Sequence, residues 1–262
     1  MNLNLINKTA LVCGGSQGLG LATAKELALL GASVILASRS QDKLTEALQQ
    51  LDKSAGQQHY FLVTDLSVPE KARAIVAGWV QQHGSIHILI NNAGGPPSGP
   101  LIETNADELE KAFRTHVTSS HLLAQLLLPG MQKEGYGRII NILSTAVKQP
   151  INGLGISNAV RAAMANWAKT LANEIGIAGI TVNNVLPGFT NTARLQYLFA
   201  KQAADQGKAP ADIEKNIVSS IPAGRLGEPE EFGAVAAFLC TPAAAYINGV
   251  NIPVDGGRTG SL

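Results

Sequence analysis

The feature that most constrains the fold is a regular alternation of short apolar runs with longer segments of helical periodicity. Apolar runs of this length are typical of strands buried on both faces, and their alternation with helices favours a doubly wound α/β fold built on a parallel sheet. The predicted strands are 9–13, 33–38, 59–63, 86–90, 137–143, 180–186 and 250–254. The predicted helices are 18–30, 41–53, 68–82, 105–133, 157–176 and 228–239.

The chain is expected to form a single domain, 1–262, because 262 residues suffice for one large core. No internal repeat, low-complexity tract or flexible linker divides it. Residues 188–222 interrupt the alternation with two weakly amphipathic helical pieces that follow a Pro-Gly pair. Ligands of open α/β sheets bind at the carboxyl ends of the strands. We therefore expect this segment to be a lid over a binding site, with a packed surface excursion as the alternative.

Composition argues against several classes of protein. The net charge of +1 comes without a basic run, so neither nucleic acid nor an anionic membrane is expected as a partner. The N-terminus lacks the pattern of a signal peptide, and no apolar stretch approaches the length of a membrane span. Cys13 and Cys240 stand in apolar segments and are expected to be buried free thiols, which favours a cytoplasmic location. No metal site is predicted.

A glycine-rich turn follows the first predicted strand and opens the first predicted helix. The stretch "CGGSQGLG", 13–20, lets backbone N–H groups approach a pyrophosphate, and the helix N-terminus favours negative charge. A tight turn without a ligand is the alternative. The residues expected to contact a dinucleotide here are Gly14, Ser16, Gln17, Gly18, Leu19 and Gly20.

The end of the second predicted strand indicates which dinucleotide is bound. An acidic residue at this place holds the ribose hydroxyls of NAD, whereas an arginine accommodates the 2′-phosphate of NADP. Ser38 and Arg39 occupy the place, and the first carboxylate is Asp42. NADP is therefore predicted and NAD is disfavoured. The alternative is that Arg39 is a solvated residue that opens the next helix.

Further motifs make a family resemblance specific. They are "NNAG" (91–94), "TDL" (64–66), "GRIINILS" (137–144), "VLPGFTNT" (185–192), "GRLGEPEE" (224–231) and "VDGG" (254–257). With the glycine-rich turn, they make the chain resemble the short-chain dehydrogenase/reductase superfamily, and most of all its 3-oxoacyl-acyl-carrier-protein reductases. The resemblance covers essentially the whole chain. It implies a Rossmann-type domain with about seven parallel strands, a nicotinamide cofactor and a homo-oligomer, a tetramer or a dimer.

The resemblance also implies cofactor contacts outside the glycine-rich turn. They are Asp65, Leu66, Asn91, Ala93, Gly94, Pro187, Gly188 and Thr192. Asp65 is expected to lie against the adenine. The residues expected to line the cofactor cleft are Asn91, Ala93 and Gly94, and those expected at the nicotinamide end are Pro187, Gly188 and Thr192. Asn91 has a second interpretation as a cap at the end of its strand, and the two roles are compatible.

The catalytic positions depart from the family pattern. That pattern implies a serine that positions the carbonyl, a tyrosine that donates the proton, a lysine that supports the tyrosine, and an asparagine in the preceding long helix. Ser144 matches the serine, but the other three positions hold Ser157, Arg161 and His116. A shifted register does not restore the pattern, because no tyrosine occurs between Tyr136 and Tyr197.

The replacements are expected to preserve cofactor binding better than catalysis. A serine hydroxyl is a far weaker acid than a phenol, whose pKa is about 10. Arg161 remains a cation whose planar fork can hold both ribose hydroxyls, but it does not release a proton. Ser157 has an alternative interpretation as a helix N-cap.

Three other side chains are candidates for the missing acid. His116 titrates in the useful range, although a neighbouring Arg161 favours its neutral form. Lys148 stands on the loop that follows Ser144 and could donate a proton or bind an anionic group. Tyr197 belongs to the predicted lid. Each has a structural alternative. His116 could be a hydrogen-bonded histidine within a helix, Lys148 a solvated cation on a loop, and Tyr197 a residue that packs within the lid.

Two functional hypotheses remain open. The first is an NADP-dependent oxidoreductase for a carbonyl/alcohol pair or an activated double bond, with a rearranged proton source. Its substrate is a small molecule or an acyl compound, because Leu195, Tyr197, Leu198 and Phe199 make the lid moderately apolar. The second is an NADP-binding protein without dehydrogenase activity, serving as a sensor or as a structural subunit.

Overall fold

The computed structural model describes residues 1–261 and contains one seven-stranded parallel sheet. Its strands are β1 Thr9–Cys13, β2 Ser33–Ser38, β3 Tyr60–Val63, β4 Ile88–Asn91, β5 Gly137–Ile142, β6 Ile180–Pro187 and β7 Asn251–Val254. Their order is β3-β2-β1-β4-β5-β6-β7. All seven predicted strands are confirmed, and so is the doubly wound fold. The order reverses between β1 and β4, and a crevice forms at such a point.

Helices cover both faces of the sheet. Within residues 1–261 they are α1 Gly18–Leu29, α2 Gln41–Leu48, α3 Pro69–His83, α4 Ala106–Phe113, α5 Ser119–Lys133, α6 Gly155–Ile175, α7 Ala193–Gln206, α8 Pro210–Val218 and α9 Pro229–Leu239. On one face Leu27 of α1 and Phe232 of α9 pack in the same core as β1 and β2. On the other face Val76 of α3, Leu127 of α5 and Ala168 of α6 form a second core.

Two predicted helices differ from those observed. The first ends at Leu48 rather than at 53, because the chain turns where the Asp52 carboxylate accepts hydrogen bonds from the backbone and hydroxyl of Ser54. The second, 105–133, is divided into α4 and α5 by a π-helical segment, Arg114–Thr118. Single π-helical turns often occur at functional sites, and this one carries His116.

The segment 188–222 contains α7 and α8 and no strand, as predicted. Thr192 caps α7 by accepting a hydrogen bond from the Leu195 backbone at 3.3 Å. Leu195 and Phe199 are buried in a small core with Ile213 of α8. Much of the apolar surface that suggested an acyl substrate therefore packs within the segment itself.

Both cysteines are buried free thiols, as predicted, and burial raises the pKa of Cys13 and of Cys240 to about 12. Within the part of the chain that the structure describes, no helix combines the length and apolarity needed to cross a membrane. Leu262, the last residue of the predicted domain, lies outside the described residues.

Candidate active site

The glycine-rich turn after β1 is fastened to the end of β4. Gly14 has a φ of +59°, a left-handed conformation that side chains disfavour. A Cβ atom at Gly14 would lie 2.6 Å from Nδ2 of Asn92. That amide nitrogen donates a hydrogen bond to the Gly14 carbonyl at 3.3 Å. Sequence reasoning missed Asn92, although it is the second residue of "NNAG".

Helix α1 begins at this turn, and no acidic side chain there competes with a ligand anion for the free N–H groups of the helix. Gln17 is its N-cap but makes no side-chain capping bond, and the first turn contains no acidic residue. Ser16 and Leu19 are partly buried, while Gly20 leaves no room for a Cβ atom against the Gly14 carbonyl. The N–H groups of the first turn and the helix dipole therefore favour an anion at this point.

The carboxyl end of β2 supplies polar groups beside the turn. The Ser38 hydroxyl oxygen is buried and has no hydrogen-bond partner among residues 1–261. Arg39 is exposed next to it. Lys43, which sequence reasoning also missed, donates from Nζ to Oε1 of Gln17 at 3.1 Å. This arrangement of two cations and a free hydroxyl fits the phosphorylated ribose of NADP.

The ends of β3 and β4 line a narrow cleft. Leu66, Asn91, Ala93 and His116 border it, so the structure brings these predicted residues together. Asn91 also donates from Nδ2 to Oδ1 of Asn141 on β5 at 2.8 Å, and the strand-end role is therefore present as well.

Two residues flank this cleft. Asp65 is partly buried and accepts a hydrogen bond from the Ser67 backbone at 2.9 Å. Gly94 has no left-handed φ, and a Cβ atom there would meet no protein atom within 4 Å. Neither backbone conformation nor packing against described residues requires glycine at 94, and the space beside this exposed residue is open.

The residues predicted for the nicotinamide end lie between β6 and the segment 188–222. Pro187 ends β6, and the Gly188 backbone donates to the Val254 carbonyl at 2.9 Å. A Cβ atom at Gly188 would lie 2.6 Å from Cα of Asp255, so glycine permits this close approach. Cγ2 of Thr192 is 3.8 Å from the Cβ position of Gly18. The start of α7 therefore borders the glycine-rich turn.

Ser144 follows β5 and caps a short 3-10 turn, Thr145–Val147. Its hydroxyl oxygen accepts a hydrogen bond from the Ala146 backbone at 3.1 Å. A hydroxyl whose oxygen is engaged in this way still has its own hydrogen to donate. Ser144 can therefore donate to a substrate oxygen.

Ser157 and Arg161 form a hydrogen-bonded pair on α6. Nε of Arg161 donates to Oγ of Ser157 at 3.2 Å, and Nη1 donates to the carbonyls of Ile142 and Leu143 at 3.1 and 2.6 Å. The N-cap of α6 is Leu154, so the N-cap interpretation of Ser157 is wrong. Burial, assisted by the charge of Arg194, lowers the pKa of Arg161 to about 10, and the guanidinium stays cationic at neutral pH.

His116 is buried beside the cleft. Burial and, to a smaller extent, the charge of Arg161 lower its pKa to about 4, although a hydrogen bond to the Gly94 backbone opposes the shift. A pKa of about 4 lies below the useful range expected for His116, and the charge of Arg161 acts in the predicted direction. A neutral imidazole at pH 7 is a poor proton donor.

The other two candidate acids occupy peripheral positions. Lys148 is partly buried at the end of the 3-10 turn. Tyr197 on α7 is 61% exposed. Sequence reasoning missed two arginines near the site: Arg194, whose charge acts on Arg161, and Arg258, which follows "VDGG". Arg194 stands just after "VLPGFTNT" and Arg258 just after "VDGG", and this closeness in sequence to family motifs is the signal that could have identified them.

Comparison with known proteins gives a consistent result. Residues 14–259 match a family model described as enoyl-(acyl carrier protein) reductase. The chain is 34% identical to the 3-oxoacyl-[acyl-carrier-protein] reductase FabG of Vibrio cholerae, over 97% of this chain and 98% of that protein. It is 36% identical to a tropinone reductase homolog of Arabidopsis thaliana, over 98% and 94% respectively. L-sorbose reductase from Gluconobacter frateurii, solved with NADPH and L-sorbose, superposes with a TM-score of 0.93 at 31% identity and complete coverage of both chains.

The fold and the glycine-rich cleft define a dinucleotide-dependent oxidoreductase. The chain belongs to the short-chain dehydrogenase/reductase superfamily. The predicted Rossmann-type fold, the NADP-dependent oxidoreductase class and the carbonyl/alcohol reaction are thereby confirmed at the level of the family. The roles of individual residues stay predictions.

Proposed function

We propose that the chain interconverts a ketone or aldehyde and its alcohol, using NADP(H) bound across the carboxyl ends of β1, β2 and β4. The observation that carries the proposal is the buried Ser38 hydroxyl, which has no partner among residues 1–261 and lies beside the exposed Arg39. A buried hydroxyl without a partner is unfavourable, and a ligand phosphate removes that cost.

Each part of the cofactor has a complementary group in the cleft. The first turn of α1 binds the pyrophosphate, and Arg39 with Ser38 and Lys43 binds the 2′-phosphate. Asp65 and Leu66 lie at the adenine, and Thr192 at the nicotinamide. When bound, the nicotinamide supplies or accepts the hydride.

Two hydroxyl groups hold the substrate oxygen. Ser144 and Ser157 each accept a hydrogen bond through oxygen, from Ala146 and Arg161, and each retains a hydrogen to donate. Such donors stabilise the negative charge that develops on the oxygen during carbonyl reduction. Water supplies the proton, because neither serine is an acid of useful strength near pH 7.

Arg161 is a positioning residue in this scheme. Its bonds to Ile142 and Leu143 fix the guanidinium, which in turn fixes Ser157 and stabilises its oxygen electrostatically. Nη2 is the group free to reach the nicotinamide ribose. General acid catalysis typically contributes about 10²–10⁴-fold, so we expect an enzyme slower than relatives that carry a tyrosine.

We further propose a single domain in which residues 188–222 form the substrate lid. The start of α7 beside Gly18 supports a lid that covers the cofactor. Exposed apolar residues on α4, Leu109 and Phe113, with Ile102 before it, support a homotetramer or homodimer. The buried free thiols support a cytoplasmic location.

The proposal is tested by following NADPH oxidation by the purified protein with a panel of ketones, aldehydes, keto acids and 3-oxoacyl thioesters. We expect turnover with at least one class, and Ser144→Ala should lower kcat by at least about 10-fold. Absence of turnover across the panel in both reaction directions would contradict the proposal.

A second candidate is an NADP-binding sensor or structural subunit without dehydrogenase activity. The inward-directed hydrogen bonds of Arg161 favour it, because two of its nitrogens are committed to the protein rather than to a ligand. It requires NADPH binding without turnover. A steady-state rate that Ser144→Ala abolishes would exclude it.

A further inference from the structure

A cavity of about 550 Å³ opens beside the Ser144 turn. It lies among the loop between β5 and α6, the end of the segment 188–222 and the residues that follow β7. Its polar lining comprises Thr145, Gln149, Asn152, Ser220, Arg258 and Thr259. The volume is in the range of small-molecule sites. Thr145 directly follows Ser144, so this space, which we name the Arg258 cavity, adjoins the turn that carries Ser144.

Arg258 is the charged residue in that lining. Its Nε is buried without a hydrogen-bond partner among the described residues, and its guanidinium carbon lies 4.6 Å from the centre of the Phe189 ring. Stacking on an aromatic ring holds a guanidinium in place but leaves its N–H groups unpaired. A buried donor without a partner carries a cost that a suitable acceptor removes.

No carboxylate of residues 1–261 forms an ion pair with Arg258; the ion pairs there are Arg114–Glu70 and Arg225–Glu231. The nearest acidic residue in sequence, Asp255, is committed elsewhere. Its carboxylate oxygens accept from the Thr259 backbone at 2.8 Å and the Gly257 backbone at 3.0 Å. Among residues 1–261, the Arg258 cavity therefore presents a positive charge without an ion-pair partner.

Further positive charge lies in the neighbouring site. The charge of Arg194 helps to lower the pKa of Arg161, and the charge of Arg161 helps to lower that of His116. By contrast, Leu195 and Phe199 of the segment 188–222 are buried in that segment's own small core. The apolar wall expected for a long acyl chain is thus largely absent among the residues that line this cavity.

We infer that Arg258 binds a carboxylate of the substrate, and that the substrate is a small polar keto acid or hydroxy acid. The planar fork of arginine pairs with carboxylate through two parallel hydrogen bonds. This inference rests on the proposed function and specifies its substrate class. Arg258 then sets specificity by anchoring the end of the molecule that does not react.

Matched ligand pairs test the inference. The probes are 4-oxopentanoate, 5-oxohexanoate and 6-oxoheptanoate, each beside its primary amide, which has the same shape without the charge. Thermal unfolding is measured with and without NADPH, and NADPH oxidation is followed for each probe. We expect an acid of suitable length to raise the Tm by about 3 °C or more at saturation, and its amide to leave the Tm unchanged. A charged hydrogen bond corresponds to a preference of about 10- to 100-fold in kcat/KM.

Variants assign the preference to Arg258. In Arg258→Gln the acid should lose its advantage over the amide through a higher KM, whereas Arg258→Lys should retain part of it. Arg73→Gln removes one positive charge from an exposed site on α3 and should change nothing. The unfolding temperature of each variant without ligand shows whether it is folded.

Three results would overturn the inference: equal effects of acids and amides, a preference that survives Arg258→Gln, or no Tm shift with any acid. Failure of the proposed function gives a different pattern. In that case NADPH neither binds nor is oxidised, while the acids still stabilise the chain through Arg258.

Discussion

The cofactor end of the cleft and its chemical end use their polar groups in opposite ways. At the cofactor end, the Ser38 hydroxyl is unpartnered, Arg39 is exposed, and Gly94 faces open space. At the chemical end, Arg161 directs Nε and Nη1 toward Ser157 and two backbone carbonyls. The named polar groups of the cofactor end lack protein partners, whereas those of the chemical end are largely hydrogen-bonded to the protein itself.

This difference separates binding from chemistry. The groups that would hold NADP are those that the family resemblance implies. The groups that would move a proton differ from those that the resemblance implies. A serine, an arginine and a neutral histidine stand where a tyrosine, a lysine and an asparagine are implied. Changes at the two ends should therefore affect different measurements.

The largest expected effect comes from restoring the implied acid. Ser157→Tyr combined with Arg161→Lys should raise kcat for a ketone that the chain reduces by about 10²-fold or more, since a phenol beside an ammonium group is an effective acid. Steady-state kinetics with each single variant as a control shows whether the two changes act together. An unchanged kcat in a folded double variant would mean that the acid does not limit the rate.

The second effect concerns stability at the chemical end. The His116 pKa of about 4 in the folded state lies below the value of about 6.5 expected for the unfolded chain. As the pH falls from about 6.5 to 4, the unfolded chain takes up a proton more readily, and the free energy of unfolding should drop by about 3 kcal/mol on this account. Above pH 6.5 the contribution is constant.

Denaturant titrations of the unaltered chain and of His116→Asn across this pH window measure the His116 contribution. His59 and His87, whose pKa values burial also lowers, remain in both proteins and cancel in the comparison. Identical pH slopes for the two proteins would contradict the assignment.

The third effect concerns the cofactor end alone. Gly94→Leu should weaken NADPH binding by about 100-fold, because the new side chain enters the space assigned to the cofactor. The Tm without ligand should stay nearly unchanged, since no protein atom lies within 4 Å of the new Cβ. Gly78→Leu on α3, where the space is equally open, is the matched control and should bind NADPH normally. Equal binding of NADPH by both variants would contradict the position proposed for the cofactor beside Gly94.

The smallest effect concerns the choice of dinucleotide. Arg39→Gln should weaken NADPH binding by about 10-fold and leave NADH binding unaltered, since the ribose of NADH lacks the 2′-phosphate. Fluorescence titration with both cofactors measures the ratio. A parallel loss for NADPH and NADH would show that Arg39 acts on the fold or on the pyrophosphate instead.

Sequence could predict the sheet because its strands are short apolar runs, and the five inner strands are buried along most of their length. It predicted the cleft residues for a related reason: the turn, "NNAG" and the Pro-Gly pair each stand directly after a strand, and the topology gathers strand ends. The departures from the family pattern at Ser157, Arg161 and His116 stay predictions, because they depend on an alignment of residue identities to that pattern.

Other features depend on tertiary contacts and left no local signal. The π-helical segment at His116 interrupts a continuous helical pattern. The pKa of His116 depends on burial and on the charge of Arg161, which is distant in sequence. The unpaired state of Arg258 could be recognised only once the Phe189 ring and the committed Asp255 carboxylate were located around it. The apolar residues of α7 were visible in the sequence, but their packing onto α8 was not.

The most direct test of the account is a calorimetric titration of the unaltered chain with NADPH and, separately, with NADH. We predict one NADPH site per chain, with a Kd at least about 10-fold lower than that for NADH. No heat of binding at saturating NADPH, together with an unshifted Tm, would contradict the account.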